Sequence, residues 1–256
     1  MTEVRLIHGS GADMAELAEG EAALVLTSPP YFPEELEPRL RRGGLTQKEC
    51  PALEQRIQEF AFGLRPVFAE CDRVLPARGT LIVQTRDVRL ADRLVGVEGI
   101  HRLIVESYGW ALYTRHLWRP RHRTVERRRQ LEIAAASGAA RPFDPEVFLV
   151  FRRPGQAWTP SRDLPDRAAL ESDILIGEKG HLPKPHPFQS PIPVLSELIR
   201  AWTDKDDLVV DPFAGGGTTL IVARGLGRRA VGYERDPQAL ALAQHNLERE
   251  TAASER

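Results

Sequence analysis

The chain has 256 residues with 35 basic and 36 acidic side chains, a formal net charge of −1, and 42% hydrophobic against 28% charged residues. This is the balance of an ordinary globular protein, and no apolar run approaches the roughly 20 residues that a membrane-spanning helix needs. The near-neutral charge excludes a uniformly basic polyanion binder, so any such role must come from local clusters. The first residues, Met1-Thr2-Glu3-Val4-Arg5, lack the basic start and apolar stretch of a secretion signal, and a cytoplasmic location is expected. Cys50 and Cys71 stand far apart without histidine spacing around them, which points to packing; neither a disulfide framework nor a metal site is expected.

Taken in chain order, short apolar and β-branched runs predict strands at Val4–His8, Ala22–Thr27, Thr80–Thr85, Ala111–Trp118, Glu146–Arg152, Leu208–Asp211 and Ala230–Tyr233. Between the second and third, Leu53, Ile57, Phe60, Ala61, Leu64, Val67, Phe68 and Cys71 recur at helical spacing, with a kink expected at Pro66. Further helices are predicted at Pro191–Trp202 with Ser190 as N-cap, at Thr218–Leu226, and at Pro237–Glu248 with Asp236 as N-cap and Pro237 in the first turn. The strands Ala111–Trp118 and Glu146–Arg152 read as a hairpin-like pair. From Arg153 to His186 the chain loses periodicity and reads as a long loop or small insertion, and 251–256 as a frayed end. The alternation predicts a doubly wound α/β fold with a mostly parallel seven-stranded sheet. A single domain over 1–256 is expected, divided into 1–152, the loop-rich 153–182, and 183–250.

Between Arg115 and Arg129 stand seven arginines, Arg115, Arg119, Arg121, Arg123, Arg127, Arg128 and Arg129, and two histidines against one acid, Glu126. A solvated face accounts for such a cluster equally well until the fold places it beside a site.

Leu208-Val209-Val210-Asp211-Pro212-Phe213-Ala214-Gly215-Gly216-Gly217-Thr218-Thr219-Leu220 reads as strand, glycine turn, helix. Glycines let the backbone approach a ligand where a Cβ would intrude, and the N–H groups opening the helix favour an anionic group. The next strand ends Val231-Gly232-Tyr233-Glu234, which sets a carboxylate where it can accept both hydroxyls of a ribose. A P-loop is disfavoured because Gly217 is followed by Thr218-Thr219 without a lysine, and a dinucleotide fingerprint because its third small position is Leu220.

The strand Ala22–Thr27 runs into Ser28-Pro29-Pro30-Tyr31-Phe32. A Pro-Pro turn alone is structural. Combined with Asp211–Thr219, it resembles the S-adenosylmethionine-dependent DNA amino-methyltransferases, and Arg73–Leu81, Pro145–Phe151 and Lys184–Pro191 resemble further segments of that family. The tetrapeptide standing before the glycine loop resembles the circularly permuted β subgroup. The resemblance implies the methyltransferase-type fold with a target-recognition insertion, S-adenosylmethionine as cofactor and double-stranded DNA as partner. It leaves open the oligomeric state, a dimer included, and whether a cognate restriction endonuclease acts on the same site. It also implies catalytic roles for Ser28, Pro29, Pro30 and Tyr31, with cytosine N4 favoured by the serine form and adenine N6 as the alternative. A non-catalytic DNA- and cofactor-binding regulator, and methylation of RNA, are more distant readings.

The chemistry explains the residue types. An exocyclic amine is a poor nucleophile because its lone pair is delocalised into the ring, and acceptors at its two N–H bonds localise that pair. The Ser28 hydroxyl and Pro29 carbonyl are such acceptors, two prolines stiffen the turn, and Tyr31 offers a stacking face to a base taken out of the duplex, with Phe32 extending that wall. The resemblance further assigns Asp211, Pro212, Phe213, Ala214, Gly215, Gly217, Thr218, Thr219, Glu234, Lys184, His186 and Phe188 to the cofactor. The family's Gly-Asp after its first strand is here His8-Gly9-Ser10-Gly11-Ala12-Asp13, so its adenine contact falls to Ser10 or Asp13, with helix capping the other reading of Asp13. For DNA, Arg39, Arg41, Arg42, Arg119, Arg121, Arg123, Arg127, Arg128 and Arg129 are the candidates, together with the 153–180 loop, because arginine suits both phosphate contact and guanine reading.

Overall fold

A computed structural model describes residues 2–36, 46–90, 93–120, 146–157, 174–177, 182 and 189–254. In chain order the elements are β1 (Val4–His8), β2 (Leu24–Thr27), α1 (Cys50–Phe62), α2 (Arg65–Val74), β3 (Thr80–Thr85), β4 (Val88–Arg89), β5 (Leu94–Val95), α3 (Val97–Ser107), β6 (Ala111–Pro120), β7 (Glu146–Arg152), β8 (Ile174–Gly177), α4 (Ile192–Trp202), β9 (Leu208–Asp211), α5 (Thr218–Gly225), β10 (Arg229–Glu234) and α6 (Pro237–Ser254). All seven expected strands are present. They form one sheet in the order β1-β10-β9-β2-β3-β7-β6-β8, while β4 and β5 pair separately. From β1 through β3 the neighbours are parallel. β7 runs antiparallel to both β3 and β6, which confirms the hairpin-like pair.

Alternation along the strands divides the core in two. Leu81, Val83, Leu149 and Phe151 face one cluster with Ile57, Phe68 and Ile104 from α1, α2 and α3. Ile82, Phe148 and Val150 face the other with Leu195, Leu198 and Leu220 from α4 and α5. Successive residues of a strand point to opposite faces, so a sheet covered on both sides needs apolar residues at nearly every position. Each such side chain stabilises the fold by about 1.5–3 kcal/mol on burial. Cys50 and Cys71 are buried free thiols in the first cluster, and burial pushes the Cys71 thiol up.

Several local expectations need correction. The helix expected over Leu53–Val74 is two helices, because Pro66 opens α2 rather than kinking a continuous run, and Gly63 and Leu64 form the joint. Proline lacks the N–H a continuous helix needs and is accommodated in a first turn. α4 begins after Pro191, whose extended backbone is the N-cap, so Ser190 stands one residue too early to cap it. Segment 153–182 is not wholly loop, since β8 adds an eighth strand that pairs parallel to β6. The last helix runs through Ser254, past Glu248 and into the tail expected to fray. Asp236 does cap it, its Oδ1 accepting the Gln238 N–H at 3.0 Å. Among the described residues no helix is long and apolar enough to cross a membrane.

Candidate active site

The parallel strands β2, β9 and β10 lie side by side, and their C-terminal ends carry the two motifs singled out above. β9 ends in Asp211, whose carboxylate is 4% exposed and accepts hydrogen bonds from Thr27 Oγ1 at 2.8 Å and Phe213 N at 3.1 Å. The Thr219 side chain bonds to it as well. Burial outweighs these donors and raises its pKa from 3.8 to about 6. Asp211 thus spends its carboxylate on the protein itself, bracing the turn against β2.

The glycine turn is held from three sides. Ala214 N donates to Tyr233 O at 3.0 Å, Gly215 N to Glu234 Oε2 at 2.8 Å, and Asn246 Nδ2 of α6 to Gly216 O at 3.1 Å. Gly215 and Gly217 have φ of 51° and 81°, the left-handed region that favours glycine. Gly217 is the N-cap of α5, which has no side-chain cap. Thr218 and Thr219 are buried in its first turn. Pro212 and Phe213 belong to the turn itself, and the latter packs on the core. Glu234 is half-buried at the end of β10, and its Oε1 also accepts the Asp236 N–H at 2.8 Å.

The loop after β1 completes this side. Gly9 N donates to Glu234 O at 3.1 Å. Gly11 lies so close to the turn that a Cβ on it would stand 2.4 Å from Pro212 Cβ. Asp13 is exposed in a turn closed by its N–H on Ser10 O, and the Ser10 hydroxyl accepts from Ala12 N at 3.2 Å; no helix starts there for Asp13 to cap. Arg73 clamps the same loop, donating to Leu17 O at 2.8 Å and Met14 O at 2.9 Å, while Glu70 accepts from Met14 N. Tyr233 Oη donates to Glu16 Oε2 at 3.0 Å.

On the other side of Asp211, β2 runs into the Ser28-Pro29-Pro30-Tyr31 turn. Pro29 is buried, and Ser28 and Pro30 are half-buried. Tyr31 is 8% exposed, its hydroxyl 3.2 Å from Ser28 Oγ. The Arg86 guanidinium lies over its ring at 5.1 Å from the centroid. Burial, and then the nearby Glu146 carboxylate, push the phenol well above its ordinary range, so Tyr31 stays neutral. Phe32 packs on the core beside it.

Ser28–Tyr31 and Asp211–Thr219 with Glu234 are therefore brought to one sheet edge. Arg119 is on β6 at the level of Ile176. Arg39, Arg41, Arg42, Arg121, Arg123, Arg127, Arg128, Arg129, Lys184, His186 and Phe188 lie outside the described residues. Sequence reasoning missed Thr27 as the joining residue, Gly11, Asn246, and the clamp made by Glu70 and Arg73. Thr27, polar in an otherwise apolar strand beside the tetrapeptide, was the one legible signal among them.

A glycine turn between a parallel strand and a helix, an acid closing the next strand, and a polar strand-end turn on the other flank define a doubly wound α/β domain with two adjoining sites. The chain belongs to the DNA methylase family, whose N6/N4 methyltransferase profile matches residues 22–245. It is similar to the putative DNA modification methylase TTHA0409 of Thermus thermophilus, solved in complex with S-adenosyl-L-methionine. That pair is 25% identical, with 96% of this chain and 93% of the other covered and a TM-score of 0.70. The cytosine-N4-specific PvuII DNA methyltransferase shares the fold at 18% identity, over 98% of this chain and 91% of its own, with a TM-score of 0.72. The type II methyltransferase M2.DpnII of Streptococcus pneumoniae is 43% identical over 65 residues, 25% of this chain. That match is local, spanning 24% of the M2.DpnII chain.

Proposed function

We propose that the protein transfers a methyl group from S-adenosylmethionine to an exocyclic amino group of a base in double-stranded DNA, cytosine N4 in preference to adenine N6. The observation that carries this reading is the Thr27–Asp211 hydrogen bond, which fastens the strand of the tetrapeptide to the strand of the glycine turn. An acceptor for the amine and a seat for the methyl donor are of use only when adjacent.

The residues fit the cofactor. A left-handed glycine turn leaves room for its methionine part, and Glu234 keeps acceptor capacity for a ribose, since a carboxylate offers about four lone-pair sites and two are taken by backbone N–H groups. Gly11 and its loop wall the same side. When bound, S-adenosylmethionine supplies an electrophilic methyl group. The protein's own part is to orient the amine. Ser28 Oγ and the Pro29 carbonyl accept its two N–H bonds and aim its lone pair, and the neutral Tyr31 phenol steadies the Ser28 hydroxyl. The base reaches this turn only after leaving the duplex, and Tyr31 receives it.

The serine form of the tetrapeptide supports cytosine. The order of motifs, tetrapeptide before glycine loop, supports the permuted subgroup. For DNA contact, the connection between Pro120 and Glu146 leaves and rejoins the sheet at the edge that carries Ser28, because β6 runs in the sense of β3 and β7 opposes both. Arg121, Arg123, Arg127, Arg128 and Arg129 belong to that connection, and Arg39, Arg41 and Arg42 follow the tetrapeptide. Replacing Arg127, Arg128 and Arg129 by alanine should flatten the salt dependence of DNA affinity, and an unchanged slope would remove them from the interface.

The deciding experiment incubates the protein with unmethylated DNA and S-adenosylmethionine, digests to nucleosides and identifies the modified base by mass spectrometry. N4-methylcytosine is the expected product. N6-methyladenine would transfer the mechanism to the alternative base, and no methylated amine would end the proposal.

A further inference from the structure

Next to the tetrapeptide stands a buried amide that methyl transfer itself does not use. β2 and β3 are in register from Leu24 opposite Thr80 to Thr27 opposite Val83, so the next positions across the two strands are Ser28 and Gln84. By alternation Gln84 follows Ile82 on its face of the sheet, while Ser28 stands just past the end of β2. Gln84 is 2% exposed in a strand otherwise built of Leu81, Ile82, Val83 and threonines. Burying an amide there is costly unless it is bonded. Its Nε2 donates to Glu146 Oε2, the carboxylate of the first residue of β7, at the same sheet edge.

That partner decides how the amide is turned. A carboxylate only accepts, so Glu146 holds the nitrogen of Gln84 toward itself and forbids the reversed amide, which would set two oxygens against each other. One Nε2–H is thereby spent. The second Nε2–H and Oε1 have no partner among the described residues, and Ser28 Oγ is bonded to Tyr31 rather than to this amide. A buried, orientation-locked donor one strand away from the amine acceptors is what selection of a base by its ring edge requires.

Resting on the methyltransferase reading above, we propose that Gln84 is a specificity-determining contact of the target base, and that Glu146 is the positioning residue that fixes its polarity. The free Nε2–H donates to the ring nitrogen beside the amino-bearing carbon, cytosine N3 or adenine N1, which is an acceptor in both. In the keto counterparts, uracil and hypoxanthine, the same ring position carries a hydrogen and meets Gln84 donor to donor. An unlocked amide would turn over and accept from it. With Glu146 in place it cannot, so bases without an exocyclic amine at that position are rejected before the chemistry. The Glu146 charge also helps keep the Tyr31 phenol protonated, which places its carboxylate close to the catalytic turn.

The test uses the full chain with S-adenosylhomocysteine and fluorescent duplexes centred on the methylated position, once it has been mapped on enzymatically modified DNA. One duplex carries the natural base and one its keto counterpart, uracil for cytosine or hypoxanthine for adenine, each opposite an abasic site so that neither has to be unpaired. Wild type should bind the natural duplex at least about tenfold more tightly, the scale of a lost buried hydrogen bond. Gln84→Leu should bring the ratio within about threefold by weakening the natural duplex. Glu146→Gln should do so by strengthening the keto duplex, because Gln84 can then turn; a merely structural role for Glu146 would not produce that gain. A wild-type ratio near one, or a variant that keeps the wild-type ratio, would overturn the assignment. If Gln84→Leu fails to bind cofactor in calorimetry, the near-isosteric Glu146→Gln carries the test. These outcomes are separate from the fate of the proposed function, which falls only if wild type methylates no DNA amine.

Discussion

Thr27 Oγ1 donates to Asp211 Oδ1 across 2.8 Å, a bond within the buried sheet between residues 184 apart in the chain. It ties the strand that ends in the tetrapeptide to the strand that opens the glycine turn. Thr27→Val keeps the β-branched shape and removes the donor, leaving a buried carboxylate one partner short. Such a loss costs about 1–3 kcal/mol. Urea unfolding at neutral pH should show that decrease. Thr27→Ser, which keeps the hydroxyl, should recover most of it, and equal stability of Thr27→Val and wild type would contradict the bracing role.

Asp211 also makes stability depend on pH. Burial raises its pKa from 3.8 to about 6 in the folded protein. Between those values the folded state holds a proton that the unfolded chain has lost, so stability falls as pH rises through the window. The contribution of this group is full below pH about 4 and lost above about 6, amounting to ~3 kcal/mol over the whole range. Asp211→Asn does not titrate. The unfolding free energy of wild type minus that of Asp211→Asn, measured in steps from pH 4 to pH 7, should therefore decline toward neutrality. A difference that grows with pH would reverse the sign argued here.

The sheet was legible because each central strand carries a short, mostly apolar run with at least one β-branched residue, and because glycine turns and acids at strand ends mark where ligands meet such a sheet. The helix α3 was missed although Val97, Ile100, Ile104 and Val105 are all buried on one side, because Gly96 and Gly99 lower its helical appeal and a histidine, His101, occupies the apolar stripe. His101 is tolerated there as a neutral ring: burial lowers its pKa to about 4, and it shares a hydrogen bond of 2.9 Å with Thr85. β8 has four residues and owes its place to β6, so nothing local announces it. The clamp of Arg73 and Glu70 on the loop after β1 joins residues 56 to 59 apart, and Gln84 to Glu146 spans 62. Motifs of contiguous residues were readable; side chains meeting across strands needed the sheet order.

Gly11 illustrates a constraint that only the fold reveals. A Cβ there would stand 2.4 Å from Pro212 Cβ and 2.6 Å from Pro212 O, distances that real atoms do not adopt, so the loop or the glycine turn must move. Overpacking of this kind costs about 1–3 kcal/mol. Gly11→Ala should lower the melting temperature and, on the proposed assignment of the glycine turn to the cofactor, weaken S-adenosylmethionine binding several-fold. Gly225→Ala is the matched control. Nothing lies within 4 Å of its added methyl group, and it sits at the end of α5, where alanine is favoured by about 0.5–1 kcal/mol. Loss of stability in both variants alike would remove the steric argument.

Glu234 permits a sharper test than its deletion. Its Oε2 accepts from Gly215 N and its Oε1 from Asp236 N, both at 2.8 Å, so the carboxylate holds the glycine turn in shape. Of its roughly four lone-pair sites, two remain for the ribose contact proposed above. Glu234→Gln halves the acceptors and sets an NH2 group against one of the backbone N–H donors. The single remaining oxygen can serve the backbone or the ribose, not all four donors. S-adenosylmethionine affinity by calorimetry should fall by about ten- to a hundredfold, in line with the loss of one or two charge-assisted hydrogen bonds. DNA affinity measured without cofactor should stay within about twofold, because no part of the Glu234 contact reaches the Ser28 side of the edge. A variant that lost DNA binding while keeping the cofactor would assign the two sites the other way round.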